Sequence, residues 1–194
     1  MHTRIPLVLA SALATAALMA SAPASADAVL ANGSFETGDF SGWTTQNLNP
    51  FNNGVVSDGT AAAGLYYAYF GNDPTADGPG GISQTLNTVM GKVYDVSFSL
   101  RNDADVAGNS TPNHFEFDWD GAAVMKLTDA SPFGWTYHEF FLTASSTSTV
   151  MNFVFDDGPF FWSLDGVAIP EPGALTLVAL AGMLALAASR RRRA

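Results

Sequence analysis

Three acids at alternate positions, Glu116, Asp118 and Asp120, are the densest cluster of reactive groups in this sequence. A strand places alternate residues on one face, and a pair of carboxylates is what hydrolysis of a glycosidic bond requires. Neighbours two apart on one strand lie ~7 Å apart along that face, and no second element converges on them. The three acids therefore read as a solvated acidic face. His114 and His138 lack a motif joining them to a nucleophile or a metal, and Ser34, Ser41 and Ser163 stand outside any nucleophile-elbow pattern. There is no cysteine, which excludes disulfides, thiolate metal sites and cysteine nucleophiles. No catalytic residue is assigned, and the chain is expected not to be an enzyme.

The elements that carry these residues are strands. Tyr94, Val96, Phe98 and Leu100 alternate with polar residues, and so do Phe115, Phe117 and Trp119. Asp120-Gly121 is a hairpin signal, with Val124 to Leu127 as the returning strand. His138, Phe140 and Leu142, then Met151, Phe153 and Phe155, repeat the pattern. Residues 162–169 read as apolar on both faces and hence as a central strand. Gly, Pro, Asn, Asp and Ser clusters separate these runs, and helical periodicity is confined to the two ends. An antiparallel β-sandwich over residues 27–169 is expected. That stretch carries Lys92, Arg101 and Lys126 against 17 acids, a surface that repels nucleic-acid phosphates.

The opening Asn32-Gly33-Ser34-Phe35-Glu36-Thr37-Gly38-Asp39-Phe40-Ser41-Gly42-Trp43 resembles the start of galactose-binding-like jelly rolls, the sandwich of many carbohydrate-binding modules. Ile82 to Leu86, Gly91-Lys92-Val93-Tyr94 and the closing Phe160 to Val167 follow in the order of that family. The resemblance implies an all-β jelly roll. It also implies a structural calcium where the opening segment meets the closing strand, with Glu36 and Asp165 in the matching positions; Gly166 stands where many relatives carry a second acid. Calcium takes six to eight oxygens, many of them carbonyls of tight turns. Jelly-roll modules stack sugar rings on aromatics, for which Tyr66, Tyr67, Tyr69, Trp119 and Trp135 are candidates, although aromatics at strand spacing usually pack in the core. Tyr66 and Tyr67 must point to opposite faces if both lie in a strand.

Both ends read as delivery signals. Residues 1–26 combine a basic start, an apolar run and Ala24-Ser25-Ala26, a secretory signal peptide expected to be cut between Ala26 and Asp27. At the other end, residues 173–188 are uncharged and as a helix span ~24 Å, a short transmembrane helix that flanking arginines assist by snorkelling. Arg190, Arg191, Arg192 and Arg193 form the cytoplasmic anchor. Pro170-Glu171-Pro172, this apolar stretch and the arginine cluster together resemble the PEP-CTERM sorting signal of Gram-negative bacteria. The resemblance implies processing by an exosortase-type membrane protease-transpeptidase, with the domain first anchored on the periplasmic side and then delivered to the cell surface or an extracellular matrix. The expectation is thus an exported, non-enzymatic surface or exopolysaccharide-matrix protein. The alternative is a dedicated carbohydrate-binding module for a defined glycan.

Overall fold

The computed structural model describes residues 30–170. The signal peptide, its cut between Ala26 and Asp27, Glu171, Pro172, the expected helix 173–188 and Arg190 to Arg193 lie outside the described residues. Within them every regular element is a strand: β1 (Thr44–Gln46), β2 (Asn53–Val56), β3 (Tyr67–Phe70), β4 (Gly80–Asn87), β5 (Val93–Asn102), β6 (Asn113–Trp119), β7 (Ala122–Thr128), β8 (Phe133–Thr143), β9 (Ser148–Asp157) and β10 (Trp162–Ala168). Among these residues no helix is long and apolar enough to cross a membrane.

Two five-stranded sheets form, ordered β1-β4-β9-β6-β7 and β2-β3-β10-β5-β8. Every pairing is antiparallel. Alternation explains them. In β6, Phe115, Phe117 and Trp119 are buried while His114, Glu116 and Asp118 point outward. The hairpin to β7 turns at Asp120 and Gly121, both with positive φ (54° and 77°), which matches the right-handed twist of the flanking strands. Asp120 thus lies in the turn, beyond the strand face that carries Glu116 and Asp118.

Aromatic rings hold the sheets together. Phe70 and Phe155 stack at 3.9 Å between centroids, and Phe98 meets both Phe117 and Phe153 edge-on at 5.2 Å. The opening segment seals one side of this core. Phe35 is fully buried and stacks on Trp43 at 5.7 Å. Gly33 passes so close to β10 that a Cβ there would lie 2.1 Å from the Val167 carbonyl oxygen, so only glycine allows the approach.

β10 is central in its sheet, but it is not apolar on both faces. Trp162 and Leu164 point into the core, and Ser163 and Asp165 point the other way. A register shift between Asp165 and Ala168, at Gly166 with φ 59°, then turns Val167 and Ile169 inward. One extra residue in the strand reverses which parity faces the core. Gly166 is where the bulge needs a left-handed backbone, which an acid would adopt only with strain.

Candidate functional site

The outer face of the second sheet carries an unusual set of side chains. Tyr67 and Tyr69 of β3, Ser163 and Asp165 of β10 and Arg101 of β5 all point away from the core. Over them lies the connection between β2 and β3, residues 57–66. Tyr67 Oη donates to Asp58 Oδ2 (2.9 Å), and Trp135 Nε1 donates to the Thr60 carbonyl (2.7 Å). The Arg101 guanidinium lies over the Tyr67 and Trp135 rings, at 4.9 and 4.8 Å from their centroids. Those two rings meet edge-on at 5.6 Å. Arg101 also donates to Thr60 Oγ1 (3.2 Å) and Ser163 Oγ (3.3 Å), and its Nε lies 3.0 Å from Asp103 Oδ2, an ion pair without hydrogen-bond alignment. Its charge is thereby matched inside the protein. Hydrogen bonding within the loop, first from the Thr60 hydroxyl, holds the Asp58 carboxyl below its ordinary range.

Beside Arg101 opens a cleft of about 380 Å³, within the ~300–1,000 Å³ usual for ligand pockets. Tyr67, Tyr69 and Phe161 supply ring surface, while Asp58, Thr60 and Asp103 supply polar groups; Ser163 lies fully buried beneath them. Tyr69 and Phe161 meet edge-on at 5.4 Å. A ring wall beside hydroxyl and carboxylate acceptors suits a ligand with an apolar face and a hydroxylated rim.

The sequence candidates divide. Tyr67 and Tyr69 line this cleft, and Trp135 borders it through Arg101. Tyr66 precedes the strand and packs against the core side, under Gly38. Trp119 is a core residue, 6.0 Å from Tyr94. Tyr66 and Tyr67 do point to opposite sides. Sequence reasoning missed Arg101, Phe160 and Phe161. One signal was available: Arg101 is one of only three basic residues in an acidic domain.

Glu36 and Asp165 face the same loop. Asp165 Oδ2 accepts from Ala63 N (2.9 Å) and its Oδ1 from Gly166 N (2.6 Å), while Glu36 Oε1 accepts from Leu65 N and Tyr66 N (2.9 and 3.0 Å). A side chain on Gly64 would displace the Glu36 carboxylate. Burial raises the Asp165 carboxyl, against the pull of these amides. Calcium needs oxygens, whereas the loop turns N–H groups toward two of the four carboxylate oxygens and the Gly166 N–H of β10 takes a third. Among the described residues no three His, Cys, Asp or Glu side chains gather as metal ligands. As they stand, these residues do not fit a calcium ion; they clamp the loop that covers the cleft.

The outer face of the first sheet is different. Lys126 Nζ lies 2.7 Å from Glu116 Oε1, and Asn152 donates to Asp118 at 3.1 Å. His114 lies 3.6 Å from Glu116 and 3.8 Å from Asp156. His138 sits on the inner side of β8, where burial depresses its pKa, against the rings of Phe98 and Phe140.

No family model matches this sequence, and no curated protein matches it. Solved structures do. TmCBM61 in complex with beta-1,4-galactotriose shares 19% identity, with a TM-score of 0.54, covering 73% of this chain and 97% of that one. A family 16 carbohydrate-binding module shares 14% (TM-score 0.51; 73% and 99% covered). The enzymatically active domain of tailspike protein 4 from bacteriophage CBA120 shares 14% (TM-score 0.50), but this chain spans only 21% of it. At such identities the likeness is one of fold: an all-β sandwich of two antiparallel sheets, like the jelly rolls of carbohydrate-binding modules.

Proposed function

We propose that this chain is a non-catalytic glycan-binding module whose ligand lies in the cleft beside Arg101. The observation that carries the reading is the convergence of Tyr69 and Phe161 with Asp58, Thr60 and Asp103 in one cleft on one sheet face. Sugar rings stack their C–H faces on aromatic surface and present hydroxyls at the edge, and this cleft offers a partner for each. The likeness to a module solved with beta-1,4-galactotriose supports it. The two carboxylates and the internally matched Arg101 favour a neutral polysaccharide over an acidic one. Residues 27–169, titrated with neutral polysaccharides such as β-1,4-galactan, xylan and mannan and with an acidic one such as polygalacturonate, should bind a neutral member. Tyr69→Ala should weaken that binding at least tenfold with the fold intact by circular dichroism. Binding to none of them, or binding unaffected by Tyr69→Ala, would overturn the proposal.

Delivery belongs to the same reading. The order of signals supports export through residues 1–26, temporary anchoring through 173–188, and processing by an exosortase-type enzyme at Pro170-Glu171-Pro172, which leaves the module at the cell surface or in an exopolysaccharide matrix. Pro170 is exposed directly after the buried Ile169, so the motif begins where the sandwich meets solvent. Glu171→Ala in the full chain should block release of the C-terminal fragment; unchanged processing would count against this sorting route.

A further inference from the structure

A second cleft adjoins the first. It encloses about 280 Å³ and is lined by Asn52, Gly71, Gly158 and Pro159 together with Phe160 and Phe161. The two phenylalanines line both clefts, so they form a ridge between them rather than an outer wall.

The ridge continues the ring surface of the first cleft. Tyr69 meets Phe161 at 5.4 Å, and Phe161 meets Phe160 at 4.9 Å. Phe160 is 37% exposed, so it spends much of its apolar surface outside the core. Its backbone is nonetheless fixed: Phe160 N donates to Asp157 Oδ1 and Asp103 N donates to the Phe161 carbonyl, both at 3.0 Å. A ridge held in place before binding avoids an ordering cost when a ligand arrives.

The second cleft also holds a free hydrogen-bonding group. The segment around β2 is rich in asparagines, and the amides of Asn47, Asn49, Asn53 and Asn72 all bond within the protein. Asn52 is the exception: its side-chain amide makes no hydrogen bond among the described residues, although the residue is partly buried and borders the cleft. An amide offers both a donor and an acceptor, which pairs with adjacent sugar hydroxyls. From Tyr67 to Gly71 the path along β3 covers about 13 Å, longer than one pyranose ring.

We infer that the glycan site crosses the Phe160–Phe161 ridge into the cleft beside Asn52, so that the ligand is a linear chain of several neutral sugars lying across the ridge rather than a single terminal sugar. This rests on the glycan-binding reading above. The test is calorimetric titration of residues 27–169 with β-1,4-linked galacto-, xylo-, gluco- and manno-oligosaccharides of one to six units. Affinity should climb with length and then level off. Asn52→Ala should weaken the longer oligosaccharides about tenfold while leaving the shortest binding oligomer and the melting temperature unchanged, and Phe160→Ala, which touches both clefts, should weaken the longer oligosaccharides more than the shortest. If both variants bind every length as the parent does, or affinity is the same at all lengths, the second cleft is not a subsite while the first remains one. If no oligosaccharide of any length binds, the parent reading fails, and this inference with it.

Discussion

The two outer faces of the sandwich are made by the same rule and do different things. On the first sheet, outward residues pair with the neighbour directly across the ladder: Glu116 with Lys126, Asp118 with Asn152, His114 with Asp156. On the second, Arg101 also meets Ser163 across the ladder, but further bonds leave it. Arg101 and Trp135 reach Thr60, 41 and 75 residues away in sequence, and Asp165 reaches Ala63 across 102 residues. Alternation fixes which side chains leave the core, but it makes no cleft. Depth comes from what lies over the strands, here the 57–66 loop and the turn at 158–161. A cleft is therefore a property of connections, and the flat face serves as its internal control.

The widest separation between the faces should come from Arg101. Arg101→Ala removes a cation held over two rings, worth ~0.5–2 kcal/mol at each, and two donors worth ~1 kcal/mol apiece. A loss of roughly 3–6 kcal/mol in urea unfolding is expected, with more than tenfold weaker glycan binding. Should Arg101→Ala unfold and bind like the parent, the cleft would have no need of the loop bonds, and the contrast between the faces would collapse.

A smaller effect is expected at the clamp. Asp165 is fully buried and its oxygens accept N–H bonds from Ala63 and Gly166. Asp165→Asn turns an amide donor toward one of them, at a cost of about 1–3 kcal/mol. Because the loop also carries Thr60, glycan affinity should fall too. The parent protein melted with calcium and with chelator should give one transition temperature. A higher one with calcium would mean that the loop turns carbonyls inward, and Glu36 and Asp165 would then be ligands rather than clamps.

Much of this was legible in sequence, and the failures have physical causes. β5, β6 and β9 alternate cleanly because one face is core and the other is not, and the Asp120-Gly121 turn announces itself through residues that tolerate positive φ. β10 misled because its bulge changes parity at Gly166: Val167 and Ile169 look like a second apolar face, yet they share the core with Trp162 and Leu164. Arg101 was read as one more polar residue in an alternating strand, since periodicity carries no information about a loop that returns from 41 residues earlier. Phe160 and Phe161 entered only as the start of the closing motif that runs to Val167, ahead of the apolar strand at 162–169. The Gly158-Pro159 turn before them, which lifts them to the surface, was the cue.

A third test concerns the ridge. Burial, with like charge from Asp156 and Asp103, pushes the Asp157 carboxyl up to about 7, against the Phe160 amide that favours its ionised form. The neighbouring Asp156 is itself raised by burial and faces His114 and Asp129. Because the folded protein holds the Asp157 proton more tightly than the unfolded chain does, this group's stabilisation is complete below about pH 4 and is lost as pH rises to about 7. Asp157→Asn keeps the acceptor for Phe160 N and removes the titration. Its stability relative to the parent should therefore rise across that window, measured by urea unfolding at pH 5 and pH 7.5. A constant difference would mean that Asp157 titrates normally and that the ridge is held some other way.

The smallest expected effect is the control on the flat face. Lys126 is more than half exposed while Glu116 is largely covered, and hydrogen bonding from Lys126 lowers the Glu116 carboxyl. Lowered in the fold, Glu116 gives a stabilisation that is present at neutral pH and fades as pH falls through its depressed value. Exposed pairs of this kind are worth ~0–1 kcal/mol and are screened by salt. Glu116→Gln should cost less than about 1 kcal/mol at neutral pH, and less still in high salt. Glycan affinity should stay at the parent value, because no bond connects this face to the loop. A clear loss of binding in Glu116→Gln would place the ligand on the acidic face, and the difference between the two faces would then have to be read the other way round.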